Sequence, residues 1–202
     1  MRTHRKLQSA ASASALTACL LLTACAHVWK LPITPVTYPG AEKISAHVHL
    51  MITDEFKQTS WEAMISPMDK GVIRLGDELV KESERLARAV FAEVTVVSSS
   101  SPPAAATPEA ILIPKVVLFE RTQPTTIFGQ QTTTLEVEWR LKSPTGDTLW
   151  VDTIKGESTT KMGSNHKKSA GVQVQAALDQ LIRDAFKSMT SSPDLRRLAG
   201  NP

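Results

Sequence analysis

Residues 130–142 read QQTTTLEVEWRLK, the most regular alternation of apolar and polar side chains in this sequence. Leu135, Val137, Trp139 and Leu141 share one side of the segment, and charged residues occupy the other side. A side-chain period of two is typical of a β-strand. One apolar and one charged face are typical of a sheet that is covered on one side only. The segment therefore predicts a strand with one buried face and one wet face.

The residues that follow predict the partner of this strand. Residues 143–147, SPTGD, are turn formers, and residues 148–160 resume a strand pattern, so we expect an antiparallel hairpin. Glu136 and Glu138 fall on the wet face and are interpreted as surface residues, not as an acid/base pair. A helix from Asn165 to Met189 comes next, capped by Ser164 or Asn165. Its apolar stripe is Val174, Ala177, Leu178, Leu181, Ile182 and Ala185.

Working towards the N-terminus, the patterns predict five more elements and a loop. They are a strand at 44–52, an excursion or hairpin at 53–74, a helix at 75–91, a strand at 94–97, a loop at 98–110 and a strand at 111–119. Pro114 cannot donate to a ladder and indicates a bulge or an edge in the last strand. The loop, rich in Ser, Pro and Ala, is expected to be mobile and dispensable.

This order of elements predicts the fold class. A strand, a helix and a strand in one sheet imply a right-handed crossover and a parallel pair if the two strands are neighbours. The hairpin adds antiparallel strands. We expect an α+β protein, a two-layer sandwich with a mixed sheet of about five strands and two helices on one face.

The N-terminus has the three parts of a secretory signal. Basic residues are followed by an apolar run, and the run ends in Leu22-Thr23-Ala24-Cys25. This ending resembles the lipobox of bacterial lipoproteins, in which the signal is cut before a cysteine that carries acyl chains. The resemblance implies a signal peptide at 1–24 and lipid attachment at Cys25. Cutting at the second motif, Leu16-Thr17-Ala18-Cys19, would leave three leucines at the start of the mature chain.

Two alternatives stay open for this region. Cys25 could be an ordinary buried or disulfide-bonded cysteine. Residues 25–42, which contain three prolines, predict either a semi-rigid tether or a surface arm packed on the domain. In both cases residues 43–202 form a single domain. Ala26 follows the cysteine in place of the aspartate that retains many lipoproteins in the inner membrane, so we expect the outer membrane.

Charge and motif content exclude several function classes. The 23 Lys and Arg residues fall to 20 once the leader is removed, equal to the 20 Asp and Glu residues, so a basic nucleic-acid footprint is absent. The sequence has no nucleophile elbow, phosphate-binding glycine loop or HExxH motif. His47 and His49 share one strand face at a metal-binding spacing, but they are interpreted as surface residues. Asp54, Glu55 and His166 are the other candidates for an enzyme or metal site.

The arrangement of elements, together with the lipobox, resembles small envelope lipoproteins of the YajG type. More loosely, it is similar to the lipoprotein that plugs the lipopolysaccharide translocon. The resemblance implies an outer-membrane lipoprotein with no catalytic residues. We predict no cofactor or metal, and a domain that faces the periplasm and acts as an adaptor or assembly component. The protein partner is unidentified, and self-association is compatible with this interpretation. A carrier of lipid or another small ligand, with a cavity between sheet and helices, is the alternative.

Overall fold

The structure is a computed structural model that describes residues 27–29, 34–40, 42–66, 69–98, 107–122, 129–161, 166–198 and 200. In chain order its elements are β1 (His27–Trp29), β2 (Ile44–Ile52), α1 (Asp54–Lys57), β3 (Ser60–Ser66), β4 (Asp69–Arg74), α2 (Gly76–Val90), β5 (Phe91–Ser98), β6 (Ala110–Thr122), β7 (Gln130–Lys142), β8 (Thr148–Lys161), α3 (His166–Ser191) and α4 (Pro193–Arg197).

The main sheet has five strands in the order β5-β2-β6-β7-β8. β2 runs parallel to β5 and β6, and β6, β7 and β8 run antiparallel to one another. Helices α2 and α3 contact each other and the strands of this sheet. The predicted α+β fold with a mixed sheet and two helices is confirmed, as are the parallel pair and the hairpin. Within the described residues, no helix is both long and apolar enough to cross a bilayer.

The alternation in β7 predicts its buried face correctly. Leu135, Val137, Trp139 and Leu141 are all buried in the main core. The turn to β8 closes with a hydrogen bond from Ser143 N to Asp147 O at 2.8 Å. Gly146 has a φ of 100° there, a conformation that residues with a Cβ rarely adopt.

Pro114 occupies an edge, one of the two places that the sequence predicts for it. β6 pairs with β2 only from Ala110 to Leu112, so in the part of the chain that the structure describes no strand pairs with that side of β6 from Ile113 onwards. The missing N–H of Pro114 therefore costs little. A bulge does occur in β6, but it lies further on, between Val116 and Leu118.

The predicted excursion is a short helix followed by a hairpin. Thr53 caps α1 by accepting a hydrogen bond from Phe56 N, and β3 then pairs antiparallel with β4. β1 adds to the other side of β4 in parallel, which completes a three-stranded sheet.

The predicted loop at 98–110 is too long at its C-terminal end. Ala110 is fully buried and begins β6, and Glu109 N donates to His47 O at 2.9 Å. These contacts fix residues 109 and 110 to β2. Residues 99–106 lie outside the described residues.

Candidate functional site

Residues 34–40, here called the arm, pack along α3. Val36 is buried in the main core, and the Tyr38 and Phe186 rings lie 5.1 Å apart. Gln175 Nε2 donates to Thr34 O at 3.5 Å. These contacts correspond to the packed surface arm, not to a tether that stands free of the domain. The wider division of the chain at residues 25, 42 and 43 stays a prediction.

A cleft of about 780 Å³ lies between the arm and α3. We call it the arm cleft. Its apolar surface comes from Pro35, Val36, Tyr38, Pro39 and Phe186, while α3 adds one acidic and two basic side chains. The polar members of its lining are Thr34, Thr37, Asp179, Arg183, Lys187 and Thr190.

Two buried polar groups, one on α2 and one on the arm, affect each other electrostatically. Glu82 is 1% exposed, and its Oε1 accepts a hydrogen bond from Arg85 Nη1. Among the described residues, Glu82 Oε2 and the Tyr38 hydroxyl are buried without a hydrogen-bond partner. Burial raises the pKa of Tyr38, and the negative charge of Glu82 raises it further, against a smaller lowering by Arg85. The Tyr38 hydroxyl therefore stays protonated next to a buried carboxylate.

The sheet face away from the helices, here called the outer face, is covered less completely. Ile113, Arg140 and Val151 are register partners across β6, β7 and β8 on this face. Val151 is 49% exposed. Arg140 donates to Glu138 at 2.7 Å, so the predicted surface role of Glu138 includes an ion pair. The outer face thus combines apolar and charged side chains beside an open edge strand, β8.

The two predicted surface histidines lie on the outer face, but they are not fully solvated. His49 is 7% exposed, because β2 has a strand on each side and Thr95 and Ile111 flank it in register. The His47 and His49 rings meet edge to face at 5.2 Å, and His47 Nε2 lies 3.2 Å from Thr95 Oγ1. The prediction that both are solvent-facing is therefore wrong for His49. Burial lowers the pKa of His49, and the charge of His47 lowers it further.

These histidines are not joined by the other ionisable candidates. Asp54 and Glu55 begin α1 beyond the end of β2, and the side chain of His166 lies outside the described part. Among described residues, no group of three His, Cys, Asp or Glu side chains could hold a metal ion. Cys25 and its lipobox also lie outside the described residues, so lipid attachment there stays a prediction.

A buried polar cluster around Arg121 is absent from the sequence-based predictions. Arg121 Nη2 donates to Gln131 Oε1 at 2.6 Å and to Gln173 Oε1 at 3.2 Å, and its guanidinium lies 5.5 Å from the centre of a Trp61 ring. Burial lowers the pKa of Arg121. Extending the β7 alternation by two steps towards the N-terminus places Thr133 and Gln131 on the buried face, which is the signal that could have revealed the cluster.

No protein-family model matches the chain, and no curated protein matches it. Several solved structures are similar to it at low identity. Protein XCC0632 from Xanthomonas campestris, of the DUF330 family model, has 13% identity and a TM-score of 0.49 over 82% of this chain and 93% of that chain. A minor lipoprotein from Acinetobacter baumannii has 8% identity and a TM-score of 0.47 over 71% and 92%. The hypothetical protein CT253 from Chlamydia trachomatis has 12% identity and a TM-score of 0.44 over 73% and 99%. Likeness at this level assigns no function.

Proposed function

We propose that the processed chain is a non-enzymatic lipoprotein of the outer membrane, anchored by acyl chains on Cys25, with its domain in the periplasm. In this proposal the domain is an adaptor or assembly component that presents its outer face to another envelope protein. The lipobox at the end of an apolar run is the observation that carries the proposal. Ala26 supports the outer membrane, because the residue after the lipidated cysteine is not the retaining aspartate.

The structure supports an anchor that holds the domain close to the bilayer. β1 begins at His27, two residues after Cys25, and its backbone pairs with β4 from Gly71 to Ile73. A chain spans at most about 3.3–3.6 Å per residue, so the start of β1 lies within about 7 Å of the acylated residue. A domain held this closely has a fixed side towards the membrane, which suits a component of a larger envelope assembly.

A carrier of lipid or another small ligand is the second candidate. The arm cleft lies between the arm and α3, not between the main sheet and the helices, where such a cavity was expected. The arm cleft is nevertheless within the range of about 300–1,000 Å³ that is usual for small-molecule sites. The two candidates differ in whether a protein or a lipid accompanies the purified domain.

Replacing Cys25 tests the anchor. Acyl chains contribute about 0.8 kcal/mol per buried CH₂, so their loss should detach the protein from the membrane. We expect Cys25→Ala to accumulate as uncleaved precursor or to leave the outer-membrane fraction. Cys19→Ala is the matched control, because it removes the second motif and should be processed like wild type. Normal processing and outer-membrane fractionation of Cys25→Ala would refute the anchor.

Purification from cross-linked envelopes tests the adaptor role. An adaptor should carry a reproducible protein partner that is lost from Cys25→Ala cells, because the variant no longer reaches the membrane. Recovery of the acylated protein without any cross-linked protein would contradict the adaptor role and favour the carrier.

A further inference from the structure

We propose that the arm cleft binds one acyl chain of an anionic phospholipid, with the phosphate against Arg183 and Lys187. The first support is shape. The cleft is a groove along α3, and Val36, Tyr38 and Phe186 give it an apolar wall. A groove of about 780 Å³ holds a chain-like ligand, and burying apolar surface contributes about 25 cal/mol per Å².

The second support is charge. Arg183 and Lys187 are one turn apart on α3, both are exposed, and neither forms an ion pair with a residue that the structure describes. Asp179 also lines the cleft, and the hydrogen bond that its Oδ1 accepts from Gln175 Nε2 at 2.5 Å leaves its negative charge in place. The charged side chains of the lining therefore sum to one net positive charge, and the two cations beside an apolar groove match an anionic head and an acyl chain.

The backbone of the arm favours a lipid over a peptide. An extended peptide docks by forming main-chain hydrogen bonds with a strand edge. Pro35 and Pro39 have no N–H, and Thr34 O already accepts from Gln175. The backbone of the arm therefore has few free groups for hydrogen bonds to a peptide strand, whereas an acyl chain requires no hydrogen bonds.

The cleft lies close to the membrane if the chain is anchored at Cys25, so this step rests on the proposed function. Membrane phospholipid is then the nearest ligand of this chemistry. Thr34 is nine residues after Cys25, so the cleft opens within about 30 Å of the acylated residue. A phospholipid from the same leaflet can reach it without crossing a long aqueous distance.

Native mass spectrometry of the mature protein tests this proposal. The protein is purified from envelopes and placed in nanodiscs that contain equal amounts of phosphatidylglycerol and phosphatidylcholine. We expect wild type to retain one phosphatidylglycerol after release. The Arg183→Glu/Lys187→Glu variant should retain about tenfold less, because two attractive contacts become repulsive. The control is Lys43→Glu/Lys57→Glu, which makes the same charge change at two exposed residues outside the cleft and should behave like wild type.

A fluorine signal localises the lipid. Tyr38 is the only tyrosine in the chain, so 3-fluorotyrosine gives one resonance at the wall of the cleft. In wild type and in the control, the chemical shift of this resonance should differ between phosphatidylglycerol and phosphatidylcholine nanodiscs. In Arg183→Glu/Lys187→Glu the chemical shift should be the same in both. Equal retention by all three proteins, or no retained lipid in wild type, overturns the proposal. The mass of the denatured protein reports acylation of Cys25 separately, so failure of the anchor and failure of the cleft give different results.

Discussion

Among single residues, Gly156 sets the distance between β8 and α3. A Cβ at this position would lie 1.9 Å from Ala177 O and 2.8 Å from Leu181 Cβ. The helix backbone has to shift to admit a methyl group, so Gly156→Ala should lower the free energy of unfolding by about 1–3 kcal/mol in urea denaturation. Gly40→Ala is the control, since its Cβ would meet nothing within 4 Å. Equal unfolding midpoints for the two variants would show that α3 does not lie against β8 at this point.

His49 predicts a pH dependence of stability. Its pKa is lowered in the folded protein, so the unfolded chain takes up the proton first as the pH falls below about 6.5. The contribution of neutral His49 is therefore complete above that pH and is lost as the pH falls towards the lower folded-state pKa. Between pH 7.5 and 5, wild type should lose more unfolding free energy than His49→Leu. Parallel losses in the two proteins would show that His49 is not protected from protonation.

The buried polar residues mark the limit of prediction from sequence at this scale. Alternation assigns His49 to the outer face correctly, but exposure depends on the flanking strands, and these are set by the strand order. Glu82 shows the same limit. Glu82 on α2 is 1% exposed, and its charge acts on Tyr38 of the arm, more than forty residues away in sequence.

Among elements, the arm is the one whose packing the sequence leaves open. Val36 is 8% exposed, and its neighbour Thr37 is exposed. Val36→Asp places a charge against the core, so it should lower the free energy of unfolding by about 2 kcal/mol or release the arm. Hydrogen exchange of residues 34–40, together with urea denaturation, distinguishes these outcomes. Thr37→Asp adds the same charge on the exposed side and should change neither measurement appreciably.

A free tether would show the opposite pattern. Residues 34–40 would exchange rapidly in wild type, and Val36→Asp would be as neutral as Thr37→Asp. That result would also remove the arm cleft, because more than half of its lining residues come from this segment.

Regular elements were predictable from sequence where the periodicity is local. The β7–β8 hairpin, α2 and the core stripe of α3 follow from side-chain patterns, whereas β1 does not, because three residues carry too short a pattern to identify a strand. Its place in a sheet depends on β4, which lies more than forty residues further on. The arm cleft was unpredictable for the same reason, since it forms between two segments far apart in sequence.

At the scale of the whole molecule, the two layers give the protein two different sides. The helix side carries the arm and its cleft, which we assign to lipid. The outer face carries Ile113, Arg140 and Val151 in register and faces away from both helices. A lipid anchor near β1 leaves both sides available at once, so the domain can contact the bilayer and a second protein simultaneously.

A pair of exposed valines on opposite sides of the molecule tests which side the protein partner uses. Val151 on β8 is 49% exposed, and Val172 on α3 is 60% exposed, so both admit a photoreactive benzoylphenylalanine without disturbing the core. In intact cells we expect Val151 to yield an adduct with another envelope protein, because its neighbours in register combine the apolar and charged side chains that are usual at interfaces. Val172 should yield none. Adducts from Val172 alone would place the partner on the helix side and contradict the assignment of the outer face.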